Sequence, residues 1–487
     1  MTDVRLPART CPEGFVETAR PASVRVNLDI PAERLAAVVG GWQEPALLKS
    51  GPGFGEAGRW SILAARPRMV LEATGLEWRS RLEDGSRLSG TGDPFLPLSR
   101  WVERFGLADA NESPGPDEPP FQGGLIGYLG YDLAPRLERL PRKAPRDSRL
   151  PDLRFGLYDT AVTVDHATGE VVLWGHDLLG EGPDEVRRRV SSWVQDLNAA
   201  HAPALRESRL GGLASNFTRA EYLDAVRTCL EYIAAGDIFQ ANLSQRFSAH
   251  GKVEPLDLYL RLRSFSPAPF SAFLAWDDLA VVSASPEWFY QTRGPRLVTR
   301  PIKGTRPRGL GTEEDRRLAA ELASSPKDRA ELTMIVDLER NDLGRVCRYG
   351  SVRVVDALTV ETFAQVHHLV ATVEGLLRPG VGPVDVIRAM FPGGSITGAP
   401  KIRAMQVIDE LEPTRRNLYT GAVGYLSRGG ASGFNIAIRT ILVEGDRASF
   451  QVGGGIVADS DPCAEYDETL HKGRGLRAVL GGAGGSS

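Results

Sequence analysis

The sequence predicts an α+β protein built on large antiparallel sheets, and three observations predict it. Strand-like runs and capped helices occur together, without the strict strand–helix alternation that marks a parallel sheet. The first part of the chain is β-rich, with short alternating runs closed by turns. The composition, 42% hydrophobic and 25% charged over 487 residues, is that of a globular chain with material for a large core.

In chain order, Met69 to Ala73 and Leu76 to Leu82 read as strands, followed by the turn Glu83-Asp84-Gly85. Residues 108–120 are polar and Pro-rich, the composition of a loop. Gly156 to Val164 and Glu170 to Trp174 read as a hairpin around His166-Ala167-Thr168-Gly169. Val186, Val190, Trp193, Val194 and Leu197 recur at helical spacing over 185–199. Residues 202–215 lack a period. The predicted organisation is a β-rich N-terminal domain over 1–200, a linker over 201–215, a larger domain over 216–480 and a Gly/Ser-rich flexible tail over 481–487.

The second part is better punctuated. Thr218-Arg219-Ala220-Glu221 is a capping box, with Tyr222, Val226, Leu230 and Ile233 on one face behind it. Ser325-Pro326-Lys327-Asp328 opens another helix, Pro400 a third and Asp461-Pro462 a fourth. Strands are predicted over 279–283, 296–300, 366–373, 420–426, 434–443 and 448–452, the last two joined by Glu444-Gly445-Asp446. On the strand containing His367-His368, neighbours face opposite ways, so the pair does not share a metal.

Charge and cysteine usage exclude several classes. Lys plus Arg is 58 and Asp plus Glu is 62, a net charge of −4, so bulk attraction for nucleic acid is excluded. The four cysteines, Cys11, Cys229, Cys347 and Cys463, lie far apart, which fits free thiols in a reducing, cytoplasmic setting. Met1 to Val16 has no apolar core of a signal peptide, and no apolar run reaches membrane-spanning length, so no membrane is expected as a partner.

Five stretches have the residue types for chemistry. Arg300 to Gly309 holds Arg300, Lys303, Arg306 and Arg308 in a Pro/Gly-stiffened run, either a site for a small anion or a solvated basic loop. Crowded by cations, the Lys303 amine would lose its proton more readily and become a nucleophile. Asp328 with Glu331, and Glu465 with Glu468, are pairs of acids three residues apart on helices, with Lys472 one turn beyond. Four carboxylates from two helices suit Mg²⁺, although each pair alone also reads as ordinary surface charge. Residues 392–401 form a Gly-rich loop running into a helix, and Gly453-Gly454-Gly455 lets a backbone approach a ligand closely. Glu287, after Ser285-Pro286 and before Trp288, would have its pKa raised by an apolar neighbour and could donate a proton.

Taken together, these stretches resemble the chorismate-utilising enzymes. The resemblance rests on residues 238–247, Ser285-Pro286-Glu287, 300–309, 336–345, 391–401, Ile438-Arg439-Thr440 and 453–460, and covers roughly 216–474. Residues 121–132 look like the N-terminal domain of the same enzymes. It implies the fold of the anthranilate synthase large component: large antiparallel β-sheets in a sandwich-like core with helices packed outside. It implies Mg²⁺ as cofactor, held by Glu331 and Glu468, with Asp328 and Glu465 nearby or acting through water. Arg439, Lys472, Tyr425 and the backbone of Gly453, Gly454 and Gly455 match positions that hold substrate carboxylates. Glu287 matches a general acid for the departing C4 hydroxyl, and Thr305 and His368 match residues lining the ring pocket.

Lys303 stands where the anthranilate branch has Ala and resembles the para-aminobenzoate branch. That implies covalent capture of chorismate by the lysine amine, then amination at C4 to 4-amino-4-deoxychorismate, with ammonia supplied by a separate glutamine amidotransferase subunit. The alternative is the anthranilate branch of tryptophan biosynthesis. Hydroxylating relatives carry a water-activating Lys where this chain has Gln240, which argues against isochorismate formation. Leu47-Leu48-Lys49-Ser50 and Arg59-Trp60-Ser61 match a tryptophan-type pocket built on Ser50 and Arg59. There Lys49 replaces a Glu that would meet an amino group.

Overall fold

The computed structural model describes residues 16–17, 23–109, 113–199, 206–363 and 366–481. Cys11, parts of the 108–120 loop and of the 201–215 linker, and the 482–487 end of the expected tail lie outside them. The α+β expectation holds: two large sheets are flanked by helices. The first sheet runs, in spatial order, through Ser23–Asn27, Val171–His176, Thr160–Asp165, Trp60–Ala64, Ala46–Lys49, Phe270–Trp276, Leu279–Ser285, Thr440–Glu444, Arg447–Ile456 and Gln240–Lys252. The second runs through Ile302–Pro307, Val366–Leu376, Arg296–Arg300, Trp288–Arg293, Ser432–Ile436, Ala422–Ser427, Gly124–Leu129, Leu153–Tyr158, Met69–Thr74, Glu77–Arg81 and Arg87–Thr91.

Period-two alternation sorts each strand's side chains between two cores. Ala46, Ile62, Leu274 and Trp276 of the first sheet meet Ile126, Tyr128, Tyr158 and Tyr425 of the second in a layer between the sheets. Their neighbours Leu47, Leu63 and Phe273 turn outward, under the helices Ala32–Gly40, Pro183–Ala199 and Pro255–Phe265. On the other outer face Leu125, Leu129, Phe155 and Leu369 pack under Phe95–Arg104, Pro326–Gly344 and Pro383–Met390.

Three expectations change. The strand expected over 434–443 is two strands in different sheets, Ser432–Ile436 in the second and Thr440–Glu444 in the first. The run from Gly156 to Val164 is not one arm of a hairpin. The chain breaks at Asp159 and crosses from the second sheet to the first, so only Thr160–Asp165 and Val171–His176 pair as a hairpin. Buried Asp159 carries the crossing: it binds Arg68 at 2.8 Å and Arg189 at 3.2 Å. The expected linker does not separate two bodies either. Arg209–Leu210 and Ala214–Ser215 pair with Gln240–Lys252, and both sheets contain strands from each side of it. The capping boxes and turns fare as read: Thr218 and Glu221 cap Arg219–Ala234, and Glu444-Gly445-Asp446 joins two paired strands.

Candidate functional site

A cavity of about 480 Å³ opens between the Ile302–Pro307 edge of the second sheet and the Arg447–Ile456 strand of the first. The helices Pro326–Gly344 and Pro462–Lys472 close it. It gathers Glu287, Lys303, Thr305, Asp328, Glu331, His368, Arg439, Gly453, Gly454, Gly455, Glu465, Glu468 and Lys472, thirteen of the residues the sequence singled out.

Glycine makes the convergence possible. Gly304 has φ +73°, and a Cβ there would lie 2.8 Å from the Asp328 carboxylate and 2.7 Å from Leu322. The bulge it forms between Lys303 and Thr305 re-aims the strand beside the acidic helix. A Cβ on Gly454 would lie 2.9 Å from Glu465 Oε2 and 3.4 Å from Glu468 Oε1, so the second acidic helix leans on bare backbone. Both acidic helices start on side-chain caps: Ser325 accepts from Asp328 N–H at 3.3 Å, and Asp461 from Ala464 N–H at 2.9 Å.

The cations are of two kinds. Burial lowers the pKa of Lys303, and Lys472 adds to the effect against Glu331, Glu287 and Glu468. Burial also lowers the pKa of Arg439, whose guanidinium, among the described residues, makes one long hydrogen bond, to Ser266 Oγ at 3.5 Å. A guanidinium without a carboxylate partner facing a cavity is fitted for an anionic ligand. Lys472 reaches Glu468 at 2.7 Å and the Gly453 carbonyl at 3.1 Å. The arginines of the basic loop behave differently from the expectation. Arg300 pairs with Glu361, Arg306 with Glu321 at 2.9 Å, and Arg308 with Asp315 at 2.7 Å. Arg306 also lines the cavity, where it binds Asp328 at 3.3 Å, so the loop contributes Lys303 and a carboxylate-paired Arg306.

Glu287 is buried, and burial raises its pKa against a hydrogen bond with Ser395 and the pull of Lys303. His368 accepts from or donates to the Thr305 hydroxyl at 2.9 Å. Burial, then Arg439, depresses its pKa to about 4, so it is a neutral ring at pH 7. Its neighbour His367 points the other way, to Asp315 at 3.0 Å and Thr362 at 2.9 Å.

The carboxylates differ in environment. Burial pushes Glu465 up despite its 2.6 Å bond from Ser460, and the charge of Glu468 adds to the push. Burial also works against ionised Glu468, but Lys472 outweighs it and holds the group below its usual range. Among the described residues no three His, Cys, Asp or Glu side chains close on one point. The donor set fits Mg²⁺, which takes one or two carboxylates and completes its shell with waters and ligand oxygens. The crowding of Glu465 by Glu468 is what a cation would relieve.

Two expected residues lie elsewhere. Tyr425 faces the layer between the sheets, edge-on to Phe121 at 5.9 Å, and is not in this cavity. Tyr419 lines the cavity instead, with Asn242, Lys327 and Gln451, which the sequence did not single out. Gln240 sits behind the glycine strand, where its amide would meet a Cβ on Gly455 at 2.5 Å. Tyr425 belongs to a second cavity of about 140 Å³, with Ser50, Arg59 and Lys49. In that cavity Ser50 donates to the Ala57 carbonyl at 3.1 Å, and Arg59 binds Asp165 and Asp117 at 3.0 Å. Lys49 is buried against Glu33 at 2.8 Å, so its charge is already met.

Comparison with known proteins agrees with this geometry. The chain is 40% identical over 428 residues to aminodeoxychorismate synthase component 1 of Bacillus subtilis, covering 87% of this chain and 89% of that one. It is 46% identical over 364 residues to anthranilate synthase component 1 of Thermus thermophilus, covering 74% and 78%. Anthranilate synthase component I of Streptococcus pneumoniae superposes with a TM-score of 0.75 at 32% identity, covering 89% of this chain and 93% of that one. Residues 66–478 match the family described as chorismate binding enzyme, and the chain belongs to that family.

Proposed function

We propose that the chain is an aminodeoxychorismate synthase component 1, which converts chorismate and ammonia to 4-amino-4-deoxychorismate. The observation that carries the reading is Lys303, an amine of lowered pKa in the same cavity as Glu287. Both branches of the family are similarly close in sequence, so the branch rests on this side chain. Arg439, Lys327 and Lys472 meet the substrate's carboxylates. The Lys303 amine, its pKa lowered by burial, bonds to C2 as the double bonds shift and the C4 hydroxyl leaves. Glu287, its pKa raised by burial, gives a proton to the departing hydroxyl, which leaves as water. Ammonia then bonds to C4, the double bonds shift back and the Lys303 nitrogen leaves C2. Glu287 recovers a proton from the new amine. The neutral His368 ring and Thr305 line the ring pocket.

Glu331, Glu468, Asp328 and Glu465 would hold Mg²⁺, which supplies charge neutralisation for the substrate's ring carboxylate when bound. A glutamine amidotransferase as the second component would supply the ammonia, as the component 1 names of the relatives suggest. Among the described residues no helix is long and apolar enough to cross a membrane. We place the protein in the cytoplasm, where the free Cys229, Cys347 and Cys463 would persist. A tryptophan-type ligand at the second cavity would find Ser50 and Arg59 but not the carboxylate that Lys49 replaces.

The test is product identity. Purified chain incubated with chorismate, Mg²⁺ and ammonium chloride is expected to form 4-amino-4-deoxychorismate, which a lyase converts to para-aminobenzoate. Fluorescent anthranilate would place the chain in the other branch, the reading that the Thermus thermophilus relative favours.

A further inference from the structure

Two carboxylates and one amine of the cavity converge on a single stretch of strand. Gly454 presents bare backbone to the Pro462–Lys472 helix, with Glu465 Oε2 at 2.9 Å and Glu468 Oε1 at 3.4 Å from where its Cβ would stand. The carbonyl of the preceding Gly453 accepts from Lys472 Nζ at 3.1 Å. The same Nζ lies 2.7 Å from Glu468 Oε1. Lys472 is the last residue of its helix, and its side chain is half-exposed, so its long stem is free to turn. Lys327 and Lys303 act on Glu468 as well, through charge. Lys472 is the cation that touches it.

Glu468 cannot keep this partner and also serve a metal through the same oxygen. A carboxylate oxygen stands about 2.1 Å from Mg²⁺, which would bring an ammonium on that oxygen close against a double positive charge. Giving up the contact costs little, because water competes for a half-exposed ion pair. Lys472 would then have free donors at the cavity wall, still beside the Gly453 carbonyl. In the arrangement seen here its charge is answered by Glu468, which leaves little attraction for a second carboxylate. Arg439 differs: among the described residues it has no carboxylate to leave.

Resting on the function proposed above, we propose that Lys472 is a metal-gated clamp. It pairs with Glu468 while that carboxylate is free, and turns to a carboxylate of chorismate once Glu468 serves the metal. The dication and the dianion then assist each other's binding through this one side chain, and the assistance is reciprocal. Until the metal is bound, the cavity withholds one of its cations from the substrate. Lys472 is thus a positioning residue whose contribution depends on the state of a neighbouring site, whereas that of Arg439 is constant.

Chorismate affinity by calorimetry, measured without ammonium so that no aminated product forms, tests the clamp. Lys472→Met is expected to weaken binding about tenfold in saturating MgCl₂, the scale of one hydrogen bond between charged groups, and less than about twofold in EDTA. Arg439→Met is the control and should weaken binding by the same factor in both buffers. Equal losses for Lys472→Met in the two buffers, or no loss in either, overturn the clamp. A second arm needs no metal. In EDTA, Glu468→Ala should tighten chorismate binding by freeing Lys472, and adding Lys472→Met should abolish that gain. A gain that survives in the double variant reflects simple removal of negative charge and overturns the clamp. Absence of chorismate binding under every condition would sink the functional reading together with the clamp, whereas equal losses sink the clamp alone.

Discussion

Lys303 shows how a common residue acquires uncommon chemistry from its surroundings. In water its amine would be almost fully protonated at pH 7. In the cavity, burial and Lys472 favour the free amine, opposed by Glu331, Glu287 and Glu468. Lys303→Ala is expected to lower formation of the C4-aminated product by about 10³-fold or more, the scale on which enzymes lose rate with their nucleophile. Lys303→Arg should fare no better, because a guanidinium keeps its proton in proteins. Chorismate binding should persist in both, since Arg439, Lys327 and Lys472 remain. Product quantification with binding calorimetry checks this, and a variant retaining a tenth of the wild-type rate would exclude covalent capture by Lys303. Residues inside recognisable motifs, Lys303, Glu287, Arg439 and the four acids, were legible in the sequence. Tyr425 was misplaced because its strand turns it into the layer between the sheets, and Tyr419 was missed because it lies in the turn before that strand, Ala422–Ser427.

At the scale of elements, the site depends on how closely backbones approach one another. The Ile302–Pro307 strand passes the acidic helix at Gly304, where positive φ and the Asp328 carboxylate both exclude a side chain. Gly304→Ala is expected to lower stability by about 1–2 kcal/mol through the left-handed backbone alone, with more from the clash. It should also weaken Mg²⁺-dependent activity by displacing Asp328. Urea unfolding and an Mg²⁺ titration of activity measure the two effects; a variant with unchanged midpoint and unchanged Mg²⁺ response would contradict the close-approach argument. Helix starts were legible because a cap is a local interaction: Thr218 with Glu221, Ser325 with Asp328, Asp461 with Ala464. The strand break at Asp159 was not, because both flanking runs are wholly buried strand and only their sheets differ.

On the scale of the whole molecule, the reading of two successive domains gives way to two shared sheets. Ala46–Lys49 takes its place in the first sheet by pairing with Phe270–Trp276. Gly124–Leu129 stands in the second by pairing with Ala422–Ser427. The layer between the sheets draws Tyr128 and Tyr158 from one half and Trp276 and Tyr425 from the other. Even the expected linker is stitched to Gln240–Lys252. Cutting the chain there would expose unpaired strand edges and half of the interior layer on each piece, and neither piece could regain the loss by itself. Fragments 1–205 and 206–487, expressed separately, are therefore expected to lack sharp thermal transitions and to regain chorismate-dependent activity only when mixed or co-expressed. The intact chain should unfold in urea with one midpoint, whether followed by tryptophan fluorescence or by far-UV circular dichroism. A fragment 1–205 that melts cooperatively alone, or two separated urea transitions in the intact chain, would restore the two-domain reading. The paired edges argue against it, because strands of each half are hydrogen-bonded to strands of the other.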